Sequence, residues 1–496
     1  MSDYYDLGPY TRPVTTTSKE AQIWFDRGLN WCYGYNHEEA VRCFKKAAKY
    51  DPNCAMAQWG IAYAAGPNYN KQWVAFDPVD LKSSLGLACA ATKQALKLLD
   101  QASPVEQALI RPLAKRYPLN EPGNVTPIWN DDYAAAMREV YRTHKDDLDV
   151  AALFAEAIMN RTPWLLWDIK AGKPAEGADT AEAIAVLERA MATASGMKHP
   201  GILHMYIHLM EMSPHPERAL RAGDALCSLV PDAGHLIHMP THIDVLCGNY
   251  KDVIDRNELA TIADKKYLAR EGAVNFYSLY RCHNYHFKTY GAMFLGQYGP
   301  ALEAAEEMAA AISEDLLRVE SPSMADWLEA FVSIKLHVYI RFGKWQEIIA
   351  SPLPADQKLY CVTTAMLHYA KAVAYAASFN VPAAEKEARL FGEALARIPE
   401  SRCLFNNASL DILAVAAEMM KGEIEYRKLN FDKAFAHLRK SVELYDSMRY
   451  DEPWGFMQPT RHALGALLLE QNRVEEAEAV YRADLGLDGT LARACQ

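Results

Sequence analysis

Apolar residues recur at helical spacing along most of the 496-residue chain, and short turn-forming clusters interrupt them at intervals. A turn residue, then an aromatic, then a small residue three positions later recurs with variation in "GNYKDV", "GQYGPA", "GKWQEI", "LNFDKA" and "NRVEEA". Each copy marks the entry to a second helix packed back on a first. The equivalent positions Ala219, Val253, Ala301 and Ile348 are 34, 48 and 47 residues apart, so the unit is stretched by longer helices or insertions in places. Sustained alternation and Asn-Gly hairpins are missing, which argues against sheets. The pattern predicts an all-α chain: a degenerate, strongly curved α-solenoid of antiparallel helix pairs.

Residues 24–52 carry the most regular unit. Trp24, Gly28, Trp31, Ala40, Phe44, Ala47 and Pro52 fall on positions 4, 8, 11, 20, 24, 27 and 32 of a 34-residue frame. This resembles the tetratricopeptide (TPR) repeat, in which small residues let two helices close-pack. "LGALLLEQNRVEEAEAVY" (464–481) is a second unit in register through Gly465, Ala477 and Tyr481. The resemblance implies one TPR-like array over residues 21–496 behind an N-terminal extension (1–20), with His-rich repeats at about 150–300 and C-terminal repeats at about 320–496. Two loops rich in Pro, Asn and Trp, residues 64–78 and 116–132, are placed to fold over a groove. The terminal "LGLDGTLARACQ" does not read as a full capping helix, so further chain or a partner is expected there.

Composition narrows the function. With 52 basic and 63 acidic residues the net charge is -11, which disfavours nucleic acid as partner because phosphates call for basic patches. No signal peptide and no membrane-length apolar run is evident. Ten cysteines without a CxxC pair read as reduced thiols, which points to a cytoplasmic protein. Phosphate-binding loops, nucleophile elbows and HExxH helices are also missing.

Eight of the fifteen histidines fall within residues 204–286. In the repeat frame His204 and His238 share position 5, and His208 and His242 share position 9, 34 residues later. His286 takes position 5 of the next unit, His283 and His235 take position 2, Glu211 takes position 12 and His337 again position 9. Positions 2, 5, 9 and 12 form one helix stripe, and in the resembled repeat that stripe lines the concave groove. Neutral imidazoles converging from adjacent helices suit a transition metal. The competing readings are a polar groove for an organic or peptide ligand, and plain packing.

His204, His208, His238, His242, His283 and His286 are therefore the expected metal ligands, for one ion or two. Copper or iron is favoured and zinc is the alternative. Glu211 and Glu156 are the expected ligand, base or orienting carboxylates, Glu156 needing a partner such as Arg161 or the site itself. His215, between two prolines, and His199, before Pro200, read as helix-entry residues. Pro240 is expected to break the helix between His238 and His242, which changes which of the two points into the groove.

"GILHMYIHLMEMSPHPERAL", "GHLIHMPTHID" and "HNYHF" also resemble a bacterial and fungal group of His-rich TPR-domain proteins, which implies the fold and no settled reaction. The expectation is a metal-dependent oxidase or oxygenase acting on a small molecule in the groove. The alternatives are a TPR adaptor for a peptide or protein partner, a zinc hydrolase and a metal carrier; a homo-oligomer is a further possibility for the partner.

Overall fold

The computed structural model describes residues 4–120 and 127–487. Residues 121–126, within the second expected loop, and the terminal 488–496 lie outside the described residues. Helices dominate; the strands among the described residues are two antiparallel two-residue ladders, Trp167–Asp168 with Lys173–Pro174 and Cys403–Leu404 with Asn407–Ala408. No helix is long and apolar enough to cross a membrane among the described residues. The nine cysteines described are all free thiols.

Contacts group the chain into two compact units, residues 1–248 with 256–277, and residues 249–255 with 278–496. Unit 1 opens on the helix pair Lys19–Tyr33 and His37–Tyr50, where the sequence frame is most regular. Gly28 is required by that pair: a Cβ there would sit 2.7 Å from the Phe44 ring, which is fully buried. The segment before the first helix is not a loose tail. Its Arg12 reaches Asp147 at 2.8 Å and Asp149 at 2.6 Å, and Tyr10 donates to Asp149 at 2.7 Å. Unit 2 contains the pairs Ser278–Phe294 with Tyr298–Ala311, Cys361–Ala377 with Val381–Leu395, Ser409–Arg427 with Phe431–Ser447, and Thr460–Glu470 with Val474–Asp484.

One turn closes these pairs. After the first helix a residue enters the left-handed region, and the next amide bonds back five residues to a helix carbonyl. The bonds are Asn36 to Trp31, Gln297 to Ala292, Lys344 to Tyr339, Asn380 to Tyr375, Asn430 to Glu425 and Arg473 to Leu468. This is the Schellman arrangement, which satisfies carbonyls that a helix end leaves without partners. The left-handed residue is Gly296 or Gly343 in two copies, where glycine removes the Cβ clash. Elsewhere it is Tyr35 (φ 55°), Phe379 (φ 61°), Leu429 (φ 64°) or Asn472 (φ 60°). Three of these are bulky, and they adopt a conformation that L-residues visit at a cost of roughly 1–2 kcal/mol.

Candidate functional site

In unit 1 the histidines sit on three short stretches of helix. Pro200–Met210 carries His204 and His208 one turn apart, Gly234–His238 carries His235 and His238, and Pro240–Leu246 carries His242. Pro240 starts the last of these as its first residue, so the expected break is real. All five imidazoles are 0–2% exposed. The open concave groove expected for them is replaced here by a buried cluster.

Fixed acceptors set the protonation of two rings. His204 Nδ1 lies 2.6 Å from the Tyr33 carbonyl oxygen, which can only accept, so the proton is on Nδ1 and the Nε2 lone pair is left over. His208 Nδ1 donates likewise to Glu211 Oε1 at 3.0 Å. The second carboxylate oxygen of Glu211 stands 2.9 Å from His242 Nδ1. His242 Nε2 and His238 Nε2 approach to 2.9 Å, and His238 Nδ1 meets Asn257 Oδ1 at 2.7 Å. Burial holds His208 down at about 3, and His238 and His242 at about 3 against the upward pull of Asn257 and Glu211 respectively. Burial likewise holds His204 and His235 well below the usual histidine range. The cluster is therefore a set of neutral bases at physiological pH.

Aromatic rings enclose it. Tyr35, at the left-handed turn of the first helix pair, stacks at 19° on His208 and 24° on His235, and its ring centre is 4.5 Å from that of His204. Tyr69, from the expected covering loop 64–78, is fully buried with its ring 5.0 Å from His208. Its hydroxyl receives the Trp164 amide at 3.2 Å, and the Trp164 ring lies 5.9 Å from His208. Sequence reasoning missed Tyr35, Trp164 and the carbonyl of Tyr33. A bulky residue at a turn position that favours glycine was the available signal for Tyr35.

Gly201 lets Tyr33 come close enough for that carbonyl bond. A Cβ at 201 would lie 2.5 Å from the Tyr33 ring, whose hydroxyl is held by Asp149 at 2.5 Å and cannot swing away. Gly201→Ala is expected to cost about 1–3 kcal/mol, as overpacking commonly does. Chemical denaturation of the two proteins checks this, and an unchanged midpoint would show that Tyr33 yields.

His283 and His286 belong to unit 2, on helix Ser278–Phe294. His283 packs on Phe287 and Phe405 with ring centres 4.9 and 4.5 Å away, and His286 Nε2 meets Met457 Sδ at 3.1 Å. His337, also in unit 2, packs against Phe456. His199 accepts the Ile202 amide as a helix cap, and exposed His215 pairs with Glu217 at 3.3 Å. Glu156 is buried and takes a 3.5 Å bond from Asn160; burial pushes its carboxyl up to about 8. Arg161, offered as its partner, instead engages Asp131 and Asp179.

No protein-family model and no curated protein matches the chain. Solved structures do. The chain is similar to Cut9 in the Cut9–Hcn1 hetero-tetramer of the APC/C (12% identity, 96% of this chain and 76% of that one, TM-score 0.35). It is similar to yeast Tom70 (12%, 96% and 93%, TM-score 0.31) and to the TPR domain of P58(IPK) (12%, 93% and 98%, TM-score 0.22). The helix pairs and their repeated Schellman turns define an all-α chain built from repeated helix pairs, as in the tetratricopeptide repeat that it resembles.

The expected copper- or iron-dependent oxidase is corrected at this point. None of the solved structures named above is described by such a reaction. Both oxygens of Glu211 face imidazoles, and Glu156 bonds to Asn160. Clustered histidines alone are no evidence of turnover.

Proposed function

We propose that the chain is a TPR-type adaptor that holds a protein partner along the turn edge of unit 2. The supporting observation is a pair of bulky apolar residues placed where folding favours neither their backbone nor their exposure. Phe379 is 76% and Leu429 72% exposed, each in the left-handed turn of consecutive helix pairs. The Arg427 guanidinium lies over the Phe379 ring at 5.2 Å, and Lys428 bridges to Glu385 of the preceding pair at 2.7 Å, so the two turns adjoin. In the last pair Leu469 and Val474 flank the turn and are also exposed. Exposed apolar side chains on adjoining turns are how partner sites present themselves, and the partner that fits is a protein surface with its own apolar strip.

The test places a photo-crosslinking residue at 379 or at 429 in cells, with exposed Lys145 of unit 1 as control position. One discrete hetero-adduct at 379 and 429, lost on adding Leu469→Ser with Val474→Ser, is the expected result. Adducts only to a second copy of this chain, or the same products at all three positions, would overturn it. Phe379→Ser with Leu429→Ser should leave the unfolding free energy within about 0.5 kcal/mol of the parent, as surface changes do.

A further inference from the structure

We propose that His204, His208 and His235 bind one late first-row transition-metal ion, of the zinc or copper class, inside unit 1. One ring nitrogen from each of the three lies within 4.8 Å of the other two. For His204 and His208 the nitrogen left to bind is Nε2, because Nδ1 is spent on Tyr33 and Glu211. Neither Nε2 meets a hydrogen-bond partner, although both rings are fully buried.

A buried acceptor left without a donor costs roughly 1–3 kcal/mol. Two side by side, with a third imidazole in reach, is a poor way to fill a core that leucine or phenylalanine would fill. An electrophile shared by the lone pairs removes the cost. Metal–imidazole bonds of about 2.0–2.1 Å at tetrahedral angles put nitrogens roughly 3.3 Å apart, so the three rings close on an ion by small side-chain shifts. The outer contacts follow the rule for metal-bound histidine, whose far N–H is held by a carbonyl or carboxylate that orients the ring. Tyr33 supplies the carbonyl and Glu211 the carboxylate. Three neutral nitrogens without a carboxylate among the ligands favour zinc or copper over magnesium or calcium.

The inference concerns unit 1 and stands apart from the adaptor edge of unit 2. It involves no redox step: the ion is held by the chain and not turned over. The test uses tag-free protein, stripped with chelator and checked for native helicity by circular dichroism. It is titrated with Zn2+, and anaerobically with Cu+, against a competing chelator. One equivalent bound is expected, with an all-nitrogen histidine shell by X-ray absorption. His204→Ala and His208→Ala should each weaken binding at least 100-fold.

Glu211→Gln keeps the shape but weakens the charge on the Nδ1 proton of His208, and a loss of 10–100-fold is expected. That variant and the wild-type absorption spectrum decide the matter if the alanine variants fail to fold. Failure of the wild type to bind either ion, a shell that lacks histidine nitrogens, or affinity unchanged in Glu211→Gln and both alanine variants would overturn the proposal.

Discussion

Asp149→Ala is expected to lower the stability of unit 1 by about 3–5 kcal/mol, the usual cost of removing one partner from a buried ion pair. Asp149 is 5% exposed, and four groups converge on it: Arg12, Tyr10, Tyr33 and His199. Burial alone would push its carboxyl up. The bonds from His199, Arg12 and Tyr33 more than offset that and hold it well below the usual carboxylate range. His199 accepts the Ile202 amide at Nδ1, so its proton is on Nε2 and points to Asp149 at 3.2 Å. With the carboxylate gone, Arg12 keeps only Asp147, and two tyrosine hydroxyls lose their acceptor. Urea unfolding followed by fluorescence checks the figure. A loss below about 1 kcal/mol would mean that water replaces the carboxylate, and Tyr10→Phe should cost only about 1 kcal/mol.

The second large effect is one of pH. Glu156 titrates at about 8 in the folded chain, because burial disfavours its charge, and near 4.5 when unfolded. The unfolded chain therefore releases this proton first as pH rises. Stability is lost between pH 4.5 and 8, at up to about 1.4 kcal/mol per pH unit, for a total of about 4–5 kcal/mol. Glu156→Gln stays neutral throughout and should remove this slope. The decisive quantity is the difference between variant and parent, since Asp451 in unit 2 is also raised to about 8 and slopes the parent in the same direction. A difference that stays constant from pH 5 to pH 8.5 would show that Glu156 ionises normally.

What was legible in the sequence follows from what repeats. The helix pairs were readable because each reuses the same turn, and "GQYGPA" and "LNFDKA" differ in side chains while closing on the same backbone bonds. Gly28 against Phe44 was readable because a glycine at a fixed frame position marks where a ring from the second helix must press on the first. His204 and His208 were likewise placed by register, and His238 with His242 came together across the break that Pro240 announces.

Non-periodic contacts were not readable. Tyr10 and Arg12 lie ahead of the first repeat, and their bond partners near residues 147–149 are more than a hundred positions away. The rings of Tyr69 and Trp164 that lie beside His208 come from irregular segments with no frame to place them. Glu156 sat on the expected helix, but its bond goes to Asn160, four residues on. The step from a histidine register to an oxidase failed for a different reason: position within a repeat specifies where a side chain goes, and it does not specify a reaction.

Tyr35 has a kinetic consequence. The same residue closes the turn of the first helix pair and lies flat on two imidazoles, so that pair cannot open without lifting the ring away. Helix pairs in an array open by local unfolding, each at a rate set by the contacts that hold it. Any solute that reaches the imidazoles by this route then does so at the opening rate of residues 19–50, whatever its own diffusion constant. Entry and escape become events of local unfolding, slowed by anything that anchors the first two helices and hastened by anything that frays them.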